Sequence, residues 1–295
     1  MINDRVQRLI DYEGIIEPLR INTDIVEKML GHFIAQEIHK VGLQRAVIGL
    51  SGGIDSAVSL YLTARALGPA NTFAVLMPYR TSSQASLDDA LACVHDLGIP
   101  HYVVPISDQV DAYYAQAVVP PGSSPEQDRL RRGNKMARER MTILYDFSQH
   151  LGALVVGTSN KSELLLGYGT LYGDMACAIN PIGDLYKTQV RQLAAHLAIP
   201  EAVITKPPTA DLFVGQTDEA QLGFTYATID AVLLDLVDRR LPLERLVELG
   251  HDEAVVRRLQ QMVQRSQYKR RLPVIAKLSE RTIDRDFRYS RDWCY

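Results

Sequence analysis

Four short apolar runs recur along this chain: AVIGL from position 46, TFAVLM from 72, HYVVPI from 101 and ALVVGT from 153. Helical patterning separates them, over 56–67, over 83–97 and in a long segment ending near His150. Apolar runs that alternate with helices predict βαβ units and a parallel sheet covered on both faces. Right-handed crossovers make such an α/β sheet doubly wound, and five strands are expected. Residues 2–41 read as two amphipathic helices broken near IEPLRINTD, with Asn22 or Thr23 capping the second. VVPPGSSPEQDRLRRGN, 118–134, reads as a loop before a helix from about Lys135, and 205–223 as a second irregular loop. Residues 224–272 read as helical with Pro242 at a helix start, and the tail DRDFRYSRDWCY as docking on the domain or on a second subunit. The expected organisation is a single domain over 1–295: N-terminal helices 1–41, a nucleotide-binding α/β core 42–200, and a helical part with tail 201–295.

A formal net charge of −3 lacks the strong basic excess of a nucleic-acid binder. The local clusters around Arg129, Arg131, Arg132 and Lys135, and around Lys269, Arg270 and Arg271, read as solvated helix faces, apart from the residues singled out below. Cys93, Cys177 and Cys294 are too few and too scattered for a disulfide framework or a zinc site, which fits a reducing compartment. The N-terminus MINDRVQRLIDYEG lacks the apolar centre of a signal peptide, and no run approaches the roughly 18 apolar residues of a membrane span. The expected location is the cytoplasm.

The first apolar run feeds directly into Ser51-Gly52-Gly53-Ile54-Asp55-Ser56, and a helix follows at once. In a parallel sheet, ligands sit at the carboxyl ends of the strands. Two glycines let backbone N–H groups approach an anion, the helix start adds unpaired donors and partial positive charge, and Ser51 and Ser56 add hydroxyls. Together these make a phosphate cradle. The spacing is neither a Walker A loop nor the dinucleotide fingerprint. Asp55 is either a helix cap or a sign of metal, because a carboxylate beside a phosphate needs a cation between them, and Mg²⁺ takes both as ligands.

Ser-Gly-Gly-x-Asp-Ser resembles the signature of ATP pyrophosphatases with the adenine-nucleotide α-hydrolase-like fold, which cleave ATP to AMP and pyrophosphate while adenylating an oxygen. The block 155–194, with GNKMARERM at 133, KPPTADL at 206, QTDE at 216 and YKRR at 268, is similar in order and spacing to the NAD synthetase family within that group. The resemblance implies ATP-dependent amidation of nicotinic acid adenine dinucleotide through an acyl-adenylate, with ATP as co-substrate and Mg²⁺ as cofactor. It implies ATP contacts from Gly49, Leu50, Ser51, Gly52, Gly53, Ile54, Asp55, Ser56, Thr158, Lys187 and Thr209, and metal ligation by Asp55 and Glu163. Substrate contacts are implied for Arg138, Arg140, Asp174, Tyr268 and Lys269, of which Arg140 aligns best with the family's arginine. The resemblance implies catalytic roles for Asp174 and Lys187: Asp174 holding ammonium and taking its proton, Lys187 neutralising charge on the transferring group.

Three positions depart from the family pattern, since Tyr268 stands where many members have His, Leu171 where some have Lys, and Ala178 where some have Asp. Cys177 nearby reads as a small buried residue. The residues before the first strand contain no cysteine and are fewer than a typical domain, so free ammonia is expected as nitrogen donor unless a separate glutaminase supplies it. The competing readings are another ATP-pyrophosphatase ligase, tRNA-modifying or GMP-synthetase-like, and a nucleotide sensor without chemistry. A homodimer is implied by the resemblance, with small-molecule substrates and no nucleic-acid or membrane partner.

Overall fold

The computed structural model describes residues 4–13, 15–116, 124–208, 218–271, 273–278 and 280. Four strands form, β1 (Arg45–Gly49), β2 (Thr72–Leu76), β3 (His101–Val103) and β4 (Ala153–Val155), each on one of the four apolar runs, β1 starting one residue before its run. The sheet is parallel throughout, in the order β3-β2-β1-β4. Beyond β4 a single parallel bridge, Val156 to Ile179, holds the place of the fifth strand.

The helices of the N-terminal and core parts are α1 (Asp4–Glu13), α2 (Thr23–Lys40), α3 (Ile54–Leu67), α4 (Gln84–Leu97), α5 (Ser107–Gln116), α6 (Pro125–Leu151), α7 (Lys161–Leu166) and α8 (Lys187–His196). They are followed by α9 (Glu201–Thr205), α10 (Asp218–Leu222), α11 (Tyr226–Leu233), α12 (Leu243–Glu248) and α13 (Glu253–Arg265). Asn22 is the cap of α2, its side chain accepting from the Ile25 N–H at 3.1 Å. Pro242 precedes α12 as its N-cap.

Alternation along the strands sends side chains to two cores. Ala46 and Ile48 of β1, with Ala74 and Leu76 of β2, pack into the larger core with α3, α8 and α11. Val47, Val75, Ala153 and Val155 face the other way, against Ile106, Val110 and Met136 at α5 and α6. A sheet buried on both faces needs apolar residues at every position, which is why its strands read as continuous runs. Helix α3 is enclosed almost completely, with Ala57, Val58, Leu60, Tyr61 and Leu62 all buried.

One expected boundary is wrong. The long helix starts at Pro125, ten residues before Lys135. Ser124 caps it, accepting from Gln127 N, and the Gln127 side chain accepts from Ser124 N, a capping box with proline at the first helical position. The glycine and serines of this stretch mark a loop in isolation, but Ser-Pro-Glu-Gln is a helix start. Residues 117–123 and the tail 281–295 lie outside the described residues.

Candidate active site

Strand order reverses between β1 and β4, so their carboxyl ends open the crevice where a doubly wound sheet binds ligands. The loop Ser51–Gly53 leaves β1 there. Gly52 has φ of +78°, and a Cβ at this position would sit 2.0 Å from the Ser86 carbonyl oxygen. Only glycine fits, because the loop lies flat on the start of α4. The Gly53 N–H donates to Ser51 Oγ at 3.2 Å, and Ser56 Oγ donates to the Gly53 carbonyl at 2.9 Å. Helix α3 begins at Gly53 with no side-chain cap, so its first turn offers backbone donors and dipole to an anion.

Asp55 is therefore not the cap of its own helix. Its carboxylate turns to a partner from each of two other helices. Asn160, completely buried as the N-cap of α7, donates from Nδ2 to Asp55 Oδ1 at 2.8 Å. Lys187, first residue of α8 and 2 % exposed, ion-pairs with Asp55 Oδ2 and stands 3.6 Å from Glu163 Oε1. Asn160 Oδ1 accepts from the Glu163 N–H at 3.0 Å, while Glu163 Oε2 accepts from the Asn160 N–H at 3.2 Å. Asn160 thus grips both acids. The ring of Tyr226 lies 5.2 Å from the Lys187 ammonium.

The electrostatics follow from two half-buried acids set around one buried base. Burial pushes the Glu163 carboxyl well above its ordinary value, and the Asp55 charge adds to that, outweighing the opposing pull of Lys187. Burial works against the Lys187 charge too, but Asp55 and Glu163 together hold its ammonium above the ordinary lysine range. Two carboxylates converge on one cation beside a phosphate cradle, which is the donor set Mg²⁺ takes from a protein when substrate phosphates complete its shell. Among the described residues no cluster of three or more His, Cys, Asp or Glu offers a complete protein cage.

The other expected residues form a second group. Asp174 Oδ1 accepts from the Thr170 N–H at 2.8 Å. Asp174 is open to solvent yet ringed by protein, as on a crevice floor, and that partial desolvation raises its carboxyl pKa. Lys269 Nζ donates to the Gly167 and Gly169 carbonyls, both at 2.8 Å, so two of its three protons clamp the exit of α7. Burial lowers the Lys269 pKa against the opposing pull of Asp174. Arg138 donates from Nε to the Leu171 carbonyl at 3.2 Å, beside this group, whereas Arg140 donates from Nε to Met77 at the end of β2, at 3.0 Å. The two arginines face different elements, as residues two apart on a helix do. Tyr268 is 63 % exposed. Thr158 follows β4, half-buried, and Thr209 lies outside the described residues. Burial raises the Cys177 thiol, which keeps it protonated and inert.

Sequence reasoning passed over Asn160, although Asn-Lys-Ser-Glu, 160–163, is a legible capping box. It also passed over a hollow of ≈ 250 Å³ at the ends of β2 and β3, lined by Tyr79, Arg80, Ser83, Gln84, Leu87 and Pro105. This hollow adjoins the phosphate loop through Ser86, one turn along α4. Most of its wall is the stretch from Pro78 to Leu87, which closes into a hollow only where Pro105 and Ser107 meet it.

Residues 26–273 match the family model described as NAD synthase. The chain belongs to the NAD synthase family. An NH(3)-dependent NAD(+) synthetase of Trichlorobacter lovleyi is 56% identical over 275 residues, 93% of this chain and 98% of that relative. Among solved structures, the NH3-dependent NAD synthetase of Campylobacter jejuni superposes with TM-score 0.73 at 36% identity, over 88% of this chain and all of that one. A Francisella tularensis protein described as an NMN synthetase superposes with TM-score 0.76 at 31% identity, over the same shares. The NAD synthase family thus accounts for the α/β sheet and for the order of the sequence blocks that bring Asp55, Glu163 and Lys187 to one point.

Proposed function

We infer that this chain is an ammonia-dependent NAD⁺ synthetase, a ligase that forms a C–N bond at the expense of ATP. The observation carrying the reading is Lys187 held between Asp55 and Glu163 at the mouth of an uncapped, glycine-lined helix start. The name of the relative at 56% identity agrees with it. A carboxylate oxygen of nicotinic acid adenine dinucleotide attacks the α-phosphorus of ATP and pyrophosphate leaves. Ammonia then attacks the acyl carbon, loses a proton, and AMP departs.

Each residue has a place in that sequence. The backbone of 51–53 and the first turn of α3 hold the pyrophosphate, with Ser51 and Ser56 hydroxyls beside it. The hollow between Arg80 and Gln84 takes the nucleoside end of ATP, since it opens one helical turn from the loop. Asp55 and Glu163 would hold Mg²⁺, which when bound offsets phosphate charge. The Lys187 ammonium then passes from the two carboxylates to the phosphate oxygens, so charge is neutralised where it develops. Asp174, with its raised pKa, holds ammonium and accepts its proton. Arg138 and Lys269 flank the crevice on the Asp174 side, where the acid substrate lies. Thr158 and Thr209 are ATP contacts in this scheme, Arg140 and Tyr268 substrate contacts. The working unit is a homodimer with small-molecule substrates; among the described residues no helix is long and apolar enough to cross a membrane.

The test supplies ATP and Mg²⁺ with the acid dinucleotide or the acid mononucleotide, and ammonium or glutamine, and measures the amidated product and AMP. NAD⁺ formed from the dinucleotide and ammonium is the expected result. Amidation of the mononucleotide alone would reassign the substrate, and AMP formed only with tRNA would overturn the reading. Asn160→Ala frees both acids from their shared grip and is expected to lower Mg²⁺-dependent turnover by about 10–100-fold, the usual cost of losing an outer-shell partner. A magnesium titration of initial rates checks this, with a higher half-saturating concentration expected.

A further inference from the structure

Asp230, on α11, is completely buried, and no step above uses it. Its Oδ1 accepts from the Ser162 hydroxyl of α7 at 2.6 Å, and its Oδ2 accepts from the Thr188 N–H of α8 at 2.8 Å. The Ser162 oxygen in turn accepts from the Lys187 N–H at 3.0 Å. Helix α8 receives no side-chain cap from its own N-cap residue, Tyr186. The first two N–H groups of α8 are therefore satisfied from outside, by a serine on α7 and a carboxylate on α11. Ser162 is also the residue just before Glu163.

We infer that Asp230 is a positioning residue of the adenylating site: by capping α8 in trans and tying it to α7, it fixes where Lys187 and Glu163 stand. The inference rests on the proposed function. Lys187 must carry its ammonium from carboxylates to phosphate, and a misplaced backbone would change both ends of that path. With its N–H pinned through Ser162, only the side chain moves. Bonds to an ionised acceptor are shorter and stronger than those to a neutral one, so a carboxylate holds this junction more tightly than an amide of equal size. Burial pushes the Asp230 carboxyl up to about 6, against the lowering pull of its Ser162 and Thr188 hydrogen bonds and the Lys187 charge. The group is thus ionised at neutral pH and above.

Asp230→Asn tests this, because it preserves size and an acceptor for Thr188 but puts a donor against Ser162. The expected result is kcat lower by about 10–100-fold, KM for the acid dinucleotide changed by less than about threefold, and faster amide exchange at Lys187 and Thr188. Ser162→Ala cuts the same link and should give the same split, with the double variant no worse than either single one. Ile229→Val, a buried neighbour on α11, serves as a control for general loosening. A kcat within about twofold of the parent in Asp230→Asn, or equal losses in Ile229→Val, would overturn the assignment. Should Asp230→Asn fail to fold, Ser162→Ala decides on the same readouts. If the parent protein forms no NAD⁺ from ammonium, the functional reading falls by itself. Amide exchange and the affinity for Mg-ATP, measured by calorimetry, then still judge whether Asp230 sets the Lys187 frame.

Discussion

Lys187→Met is expected to lower kcat by about 10²–10³-fold, the loss seen when one preorganised charge is withdrawn from a transition state. Methionine keeps an unbranched apolar stem and removes the ammonium, with its contact to the Tyr226 ring. A stability effect accompanies the kinetic one. Removing one partner of a buried ion pair costs about 3–5 kcal/mol when the remaining charge has no relief. Here relief exists, because burial and the Asp55 charge already raise the Glu163 carboxyl well above its ordinary value, so it takes up a proton more readily than a free carboxylate. Without Lys187 it holds a proton to higher pH still. Between its unfolded value and that raised value the native state binds more protons than the unfolded one, so this group's contribution to stability falls as pH rises through the window. The Tm deficit of Lys187→Met against the parent should therefore be smaller at about pH 5 than at about pH 8. Rapid-quench measurement of pyrophosphate release, with melting curves at both pH values, checks the pair. Equal deficits at the two pH values would show that Glu163 is not the group taking up the proton.

Gly52→Ala is expected to destabilise the protein by about 2–5 kcal/mol and to abolish detectable ATP binding, from two independent causes. The left-handed φ of +78° costs a residue with a Cβ about 1–2 kcal/mol. Overlap with the Ser86 carbonyl, 2.0 Å from the new Cβ, cannot be relieved by a rotamer change and costs about 1–3 kcal/mol more. The loop must lift off α4, and the cradle opens where the pyrophosphate should rest. Gly31→Ala serves as a control, since a Cβ at Gly31, within α2, would meet nothing within 4 Å. Calorimetric ATP titration and thermal melts of both variants measure the contrast. Gly52→Ala melting with the parent would mean that the loop does not lie on α4.

The residues legible in the sequence were those whose role is local. Four strands were readable because a sheet covered on both faces demands unbroken apolar runs. Gly52 and Gly53 were readable because a tight approach to an anion demands backbone without side chains. The helix start at Pro125 was equally local and was still misread, since Pro, Gly and Ser weigh toward loop until Ser-x-x-Gln is recognised as a cap. Lys269 shows the other limit: nothing in the basic cluster YKRR says that this cation donates to two carbonyls at the exit of α7.

By itself the sequence determined the α/β class and marked Ser51–Ser56, after the first strand, as a candidate phosphate loop, because these follow from periodicity and from a motif a few residues long; Lys187 and the ligand role of Glu163 came from the resemblance to the NAD synthetase family. Only the tertiary structure decided that Asp55 and Glu163 meet around the buried Asn160 and Lys187, that a hollow opens beside α4, and that Asp230 reaches across from α11. Those contacts join residues 105 and 132 positions apart in the cases of Asp55 with Asn160 and with Lys187. No local pattern encodes such a meeting. It arises when the strand order reverses beside β1 and the helices after β1 and β4, with α8, bring their N-termini to the same crevice.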